Sequence, residues 1–197
     1  SPPPASAGIV AIQMLQLGLV GSKRAAVGRV GQGHLIAEVA KRSLGERLKW
    51  LGSDYGASAQ VQGFLSPAHA LDLMSSFSSK KASAAEKFAD ASRKVTQLDA
   101  SASFLVVDGD GLVVACTLTM YHPFGTGRTA PGLGIVLAAA PGEKGRNPLP
   151  LGPVVVMRAK DNAFRFAFSS SGGATAATAM ANVMFEALLA KRSLRAA

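Results

Sequence analysis

The sequence predicts an α+β protein in which helices are layered on antiparallel β-structure. Three observations support this fold class. Helical spacing of apolar residues dominates the first half, the spacing becomes strand-like from Ser101, and an Ala-rich helical segment follows a Gly-Gly turn at 172–173. Because the order is helices, hairpin, hairpin, helix, the two kinds of element are segregated into layers.

The composition fits a globular domain and excludes several kinds of site. The chain has 197 residues, of which 48% are hydrophobic, enough to bury a core as one domain. One cysteine, Cys116, excludes an internal disulfide, and we expect it to be a buried structural thiol. Three histidines without ligand spacing predict no metal site, and no cofactor is predicted. No apolar stretch approaches the ~18 to 20 residues that span a bilayer.

The positive charge raises three classes of partner. The formal net charge of +9 suits nucleic acid, acidic lipid head groups or an acidic protein. However, the basic residues are scattered in pairs, and two Tyr and one Trp leave few platforms on which bases could stack. We therefore predict no nucleic acid, while a membrane surface is disfavoured but stays open.

Three helices are predicted in the first half. The segment "GIVAIQMLQLGL" places Ile9, Ile12, Leu15 (or Gln16) and Leu19 on one helical face. The segment "GSKRAAVGRVGQG" that follows is predicted to be a Gly-rich basic loop. The third predicted helix, in "LSPAHALDLMSSF", has Ser66 as its N-cap and Pro67 at its first helical position. In the second helix, the predicted apolar stripe consists of Leu35, Ile36, Val39, Ala40, Leu44, Leu48 and Leu51.

The second half predicts two hairpins and a helix. Residues 78–100 are interpreted as a weakly ordered connector. "SFLVVDGDGLVVACTLTM" is a hairpin with an Asp/Gly turn, and its near-continuous apolar runs predict a sheet covered on both faces. A Gly-rich loop with a short strand follows, and "GPVVVMRAKDNAFRFAFSS" is a second hairpin.

Two serines stand at the start of the first predicted strand. Ser101 and Ser103 lie in "LDASASFLVVDGDG". Serine is common at strand ends and turns, which favours a purely structural role. A hydroxyl at this position is also where a catalytic nucleophile could stand.

Several segments together resemble the gamma-glutamyltransferases, which are N-terminal-nucleophile hydrolases. "SPPPASAGIVAIQML", "HLIAEVAKRSLGERLKWLGSD", "DASASFLVVDGDG", "FGTG" and "SSSGGATAAT" follow one another in the family's order, over nearly the whole chain. The resemblance implies an αββα sandwich. It also implies a helical part at 1–100, like the end of the family's large subunit, and a sheet-plus-helix part at 101–197, like the start of its small subunit. The two parts would form one structural domain.

The resemblance also assigns catalytic positions. The family cuts its own precursor before a Thr, whose hydroxyl becomes the nucleophile and whose α-amine becomes the base. That Thr corresponds to Ser101, and the supporting hydroxyl on the neighbouring strand corresponds to Thr119. The oxyanion-hole glycines correspond to Gly172 and Gly173.

The substrate side departs from the family pattern. The family's substrate-binding Asn corresponds to Tyr121, and its Gln and Asp correspond to Ala140 and, at best, Glu143. The paired serines of "PLSSMSP" correspond to "PLPLGP", which has no hydroxyl. Because a zwitterionic glutamyl group needs paired charges, recognition of γ-glutamyl substrates is in question.

Two functions stay open. In one, the chain is a catalytically degenerate homologue that serves as a structural subunit, with an incomplete sandwich whose missing strands another protein chain supplies. In the alternative, Ser101 is exposed by self-cleavage and acts on a small-molecule amide with altered specificity. The opening "SPPPASAG" suggests a processed chain or a piece of a larger protein, and the resemblance implies a periplasmic or extracellular location.

Overall fold

The chain divides into two compact units. The computed structural model describes residues 7–24, 29–50, 61–88, 101–139, 152–172 and 174–195. The helical unit comprises mainly Ile9–Lys94 and Thr178–Ala197, and the hairpin unit comprises mainly Val95–Ala177. Helices and antiparallel strands occupy separate stretches of the chain, so the predicted α+β class is confirmed.

Five helices carry most of the described helical structure. The helices are α1 (Ala7–Arg24), α2 (Arg29–Trp50), α3 (Val61–Phe64), α4 (Pro67–Leu73) and α5 (Ala174–Met184), and α5 continues as a π-helical turn over Phe185–Leu189. Ser66 caps α4 as predicted, because its Oγ accepts the backbone N–H of His69 at 3.2 Å. The predicted cap at Ser6 lies outside the described residues.

The buried face of α1 is only partly the predicted one. Ile9 is buried as predicted, but Ile12, Leu15 and Gln16 are half-buried and Leu19 is 41% exposed. Val10, Met14 and Leu17 are buried instead. Tertiary packing decides the face: a Cβ on Gly18 would lie 2.1 Å from Cζ of Phe185. The missing side chain at Gly18 therefore lets the aromatic ring of Phe185 lie directly against the α1 backbone.

The Gly-rich basic segment at 21–33 is largely helical, so its prediction as a loop is wrong. Helix α1 runs to Arg24 and α2 begins at Arg29. A Cβ on Gly21 would lie 2.4 Å from Cδ1 of Leu35. This glycine permits close helix packing and does not form a turn.

Helix α2 buries an ion pair as well as part of its predicted apolar stripe. Leu35 and Val39 are buried as predicted, whereas Ile36, Ala40 and Leu44 are half-buried. The side chains at 48 and 51 lie outside the described residues. Glu38 and Arg42 are 0% exposed. Arg42 donates to Glu38 Oε2 at 2.6 Å, and the backbone N–H of Ser83 donates to Glu38 Oε1 at 3.0 Å. Burial raises the pKa of the Glu38 carboxyl, but hydrogen bonds from Lys41, Arg42 and Ser83 outweigh it and lower this pKa to about 2.

The same ion pair orders part of the predicted connector. Arg42 Nε donates to the carbonyl of Leu73 at 2.9 Å, and its guanidinium lies 4.6 Å from the centroid of the Phe88 ring. A 3₁₀ turn spans Ala85–Lys87. Residues 78–88 are thus fixed against α2 by side-chain contacts, and 89–100 lie outside the described residues.

The hairpin unit contains both predicted hairpins. Strands β1 (Ser101–Val107) and β2 (Val113–Thr119) pair antiparallel, and β3 (Val154–Met157) pairs antiparallel with β4 (Phe164–Phe168). Asp108 Oδ1 accepts the N–H groups of Asp110 and Leu112, which closes the first turn. The strands form two separate two-stranded sheets, and the short strand predicted after the Gly-rich loop is a single bridge between Thr129 and Val136.

One face of the first hairpin is open, contrary to the predicted coverage on both faces. Successive strand residues point to opposite sides, and one side carries large apolar groups that are 47–57% exposed, which are Phe104, Val106, Val114 and Leu118. Continuous apolar patterning is compatible with burial on both faces but does not require it. Cys116 on this face is free and half-buried, so it is less enclosed than predicted.

Candidate active site

Ser101 is the first residue of β1 and lies directly across from Thr119 of β2. Residues paired in this way have Cβ atoms about 4.5–5.5 Å apart. The Ser101 Oγ is buried and has no hydrogen-bond partner among the residues that the structure describes. Because a buried hydroxyl without a partner costs roughly 1–3 kcal/mol, its presence at the start of a strand calls for an explanation.

Four hydroxyl groups share one face of this hairpin. Ser103 pairs with Thr117, one step along from the Ser101–Thr119 pair, so their side chains point to the same side. All four residues are half-buried, in contrast to the open apolar face behind them. The same face continues into Leu105 and Val107, which are 43% and 47% exposed, so this side of the hairpin is also open further along the strands. The polar groups are therefore concentrated at the end of the hairpin where Ser101 lies.

Tyr121 follows β2 in a left-handed backbone conformation. Its φ is 59°, and its backbone N–H donates to Thr119 Oγ1 at 3.1 Å. A positive φ is uncommon for a residue with a bulky side chain. Burial raises the pKa of the Tyr121 phenol above its ordinary value. Tyr121 thus occupies one acceptor position of the Thr119 hydroxyl through its backbone, and its side chain is half-buried.

Gly172 ends the chain segment that follows β4. Its φ of 125° is one that side-chain-bearing residues rarely adopt, and its carbonyl accepts a hydrogen bond from Thr175 Oγ1 at 2.8 Å. This bond joins Gly172 to the first turn of α5. Gly173 and Glu143, the other two residues predicted for the site, lie outside the described residues.

Two further polar residues, absent from the sequence-based prediction, join the hairpins. Ser169, directly after β4, has its Oγ 2.7 Å from Thr117 Oγ1 and donates to the carbonyl of Cys116 at 3.1 Å. Thr117 could have been anticipated, because it lies two residues before Thr119 on the same strand face. Nothing in the sequence indicates that Ser169 would contact it across 52 residues.

A hydroxyl at a strand start and a second hydroxyl across from it are groups that acyl-transfer chemistry can use, and a glycine turn before a helix can supply backbone N–H groups to an oxyanion. Within the described ranges, no cluster of three or more His, Cys, Asp or Glu residues could hold a metal ion. A search of the described helices for a membrane-crossing segment also finds none of sufficient length and apolarity.

Comparison with known proteins assigns the family. The family model described as gamma-glutamyltranspeptidase matches residues 1–197. The glutathione hydrolase proenzyme of Escherichia coli (strain K12) is 28% identical over 137 residues, which cover 69% of this chain and 24% of that relative. The chain therefore spans about a quarter of the curated relative that it matches. Because the family match runs over the whole chain, this protein belongs to the gamma-glutamyltranspeptidase family.

Proposed function

We propose that the chain performs amide-bond chemistry with Ser101 as a nucleophile that self-cleavage exposes. The observation that supports it is the buried Ser101 hydroxyl, unpartnered and in register with Thr119. Thr119 Oγ1 accepts the N–H of Tyr121, and Thr119 lies in register with Ser101, which makes its hydroxyl the candidate to orient the Ser101 oxygen. The backbone around Gly172 is the candidate donor to the oxyanion.

The proposed cleavage releases the base that the nucleophile needs. Ser101 Oγ attacks the carbonyl carbon of Ala100, the C–N bond breaks, and the nitrogen becomes the α-amine of Ser101. Water then hydrolyses the resulting ester, which leaves a carboxylate on Ala100. In the second reaction, the α-amine takes the proton of Ser101 Oγ as that oxygen attacks a substrate amide, and passes it to the leaving amine.

The substrate is proposed to differ from a free γ-glutamyl group. Tyr121 stands where the family resemblance places an Asn, and its half-buried ring offers an apolar surface and one phenolic hydroxyl. Such a side chain suits an uncharged acyl group better than a zwitterion, which requires paired charges. Glu143 is the remaining candidate for contact with a substrate amine.

A second candidate function is supported by the open face of the first hairpin. In this second function, the chain would be a catalytically degenerate subunit. Its apolar residues at 104, 106, 114 and 118 would pack on another protein chain. The partner chain would supply the missing strands of an αββα sandwich. In that sandwich, residues 1–100 and 101–197 of this chain would be parts of one domain. Polar replacement on this face, as in Val106→Thr with Leu118→Thr, would then abolish a complex that the wild type forms.

Self-cleavage separates the two candidates. The purified protein is incubated and followed by intact mass, with Ser101→Ala, Ser101→Thr and Ser103→Ala as variants. Catalysis predicts a fragment that begins at Ser101 in the wild type, in Ser101→Thr and in Ser103→Ala, and an intact chain in Ser101→Ala. A wild-type chain that stays intact and elutes with a partner protein would support the subunit function instead.

A further inference from the structure

The hydroxyl of Ser169 makes two contacts with β2. The carbonyl of Cys116, 3.1 Å away, can only accept, so the single proton of Ser169 Oγ is directed to it. Thr117 Oγ1, 2.7 Å from the same oxygen, then donates its proton to Ser169. Both hydroxyl protons are used in this way, and the end of β4 is joined to the edge of β2 by two consecutive hydrogen bonds.

These contacts are close in sequence to both parts of the proposed active site. Thr117 is two residues from Thr119 on the same face of β2, a separation of about 7 Å. Ser169 is three residues before Gly172, a stretch of chain that reaches at most about 11 Å. The two hydrogen bonds of Ser169 are therefore within a few residues of the Ser101–Thr119 pair along β2, and within a few residues of the glycine turn along the segment after β4.

We propose that Ser169 is a positioning residue that fixes the Gly172 turn relative to the Ser101 hydroxyl, an inference that rests on the proposed function. Catalytic groups must be held to within a fraction of an ångström for donors to meet the developing oxyanion. The neighbouring hydroxyl of Ser170 makes a different contact. Ser170 Oγ donates to the carbonyl of Ala176 at 2.9 Å, so its bond stays within its own segment and does not reach β2.

The experiment compares Ser169→Ala, Thr117→Val, Ser169→Thr and Ser170→Ala by the rate of self-cleavage at Ser101 and by kcat and KM for an uncharged anilide substrate. Ser169→Ala removes both bonds and is expected to lower kcat by about 10-fold to 100-fold with KM unchanged. Thr117→Val keeps the bond to Cys116 and is expected to have a smaller effect. Ser169→Thr retains a hydroxyl and should restore the rate to within about threefold of wild type, as should Ser170→Ala.

Non-additivity gives a second criterion. If the two hydroxyls act as one unit, the double variant Ser169→Ala/Thr117→Val should be no slower than Ser169→Ala alone. Equal rate losses in Ser169→Ala and Ser170→Ala, or a change confined to KM, would overturn the positioning role.

A readout without activity separates this inference from the proposed function. In the Ser101→Ala background, backbone hydrogen exchange over 169–176 is expected to rise at least about 10-fold on Ser169→Ala and to stay nearly unchanged over β3. An inactive wild type would refute the proposed function, and the exchange data would still decide the positioning role. Unchanged exchange at 169–176 would refute the positioning role whatever the activity.

Discussion

The helical unit and the hairpin unit treat their polar groups differently. In the helical unit, the fully buried charges Glu38 and Arg42 have ionic, backbone and aromatic partners. In the hairpin unit, the buried hydroxyl of Ser101 has none, and a large apolar face is open. The helical unit also contains buried atoms without a described hydrogen-bond partner, such as Gln13 Oε1 and Ser43 Oγ. The two units therefore differ in the buried charged pair and in the exposed apolar strand residues, and not in unpartnered polar atoms as such.

An unpartnered hydroxyl does not by itself identify a function. Ser43 Oγ in α2 is also buried without a hydrogen-bond partner. It lies in the middle of a helix, whereas Ser101 begins a strand, pairs with Thr119 and shares its face with two more hydroxyls. The functional argument therefore depends on the neighbours of Ser101 as much as on its missing bond.

The largest effect is expected from Glu38→Ala. This change leaves the Arg42 guanidinium buried without its carboxylate, which should lower the free energy of unfolding by about 3–5 kcal/mol. Urea denaturation followed by circular dichroism measures it. Lys41→Ala is the control, because the Lys41 side chain is 26% exposed and its loss should cost about 1 kcal/mol or less. A loss below about 1 kcal/mol for Glu38→Ala would mean that the pair does not hold the helical unit together.

Acidification should weaken the same pair. The folded-state pKa of Glu38 is about 2, below the ordinary value of 4.5 for a glutamate carboxyl, so its contribution is present above pH 4.5 and is lost as the pH falls toward 2. The contribution amounts to roughly 3 kcal/mol. Unfolding free energies measured from pH 6 to pH 2 should fall more steeply for the wild type than for Glu38→Gln. Parallel curves would contradict the assignment.

A matched pair of glycine substitutions tests the packing in the helical unit. Gly18→Ala places a methyl group 2.1 Å from Phe185 Cζ and should destabilise by about 1–3 kcal/mol. Gly33→Ala meets no atom within 4 Å and should stabilise helix α2 by about 0.5–1 kcal/mol. Thermal denaturation of the two variants should therefore shift in opposite directions. A shift in the same direction would show that Gly18 does not contact the ring.

Local chemistry made part of the fold predictable. The Asp/Gly turn, the two strand pairs and the Ser66–Pro67 helix start depend on a few adjacent residues, and all are found. The face of α1 was not predictable, because Gly18 and Gly21 act through Phe185 and Leu35, which are distant in sequence. Glu38 and Arg42 have the i,i+4 spacing of an exposed pair, and only the fold shows that both are buried.

The candidate site was predictable to a similar extent. The order of motifs placed Ser101 and Thr119 at corresponding strand ends, and the structure pairs them. The order of motifs could not show that Ser169 joins β4 to β2, because that contact depends on how the two hairpins pack against each other.

The smallest effect on stability is expected from Ser43→Ala. The change removes a buried hydroxyl that makes no hydrogen bond and should alter the free energy of unfolding by less than about 1 kcal/mol in either direction. Self-cleavage should proceed at the wild-type rate. A loss of cleavage in Ser43→Ala would break the distinction between the two serines.

Trapping the acyl-enzyme tests the central claim most directly. The protein is mixed with a p-nitrophenyl ester, and the modified peptide is identified by mass spectrometry. Our account predicts a burst of nitrophenol close to one equivalent and an acyl group on the peptide that begins at Ser101, with neither in Ser101→Ala. An acyl group on Ser103 or on no serine, or a burst that persists in Ser101→Ala, would contradict it.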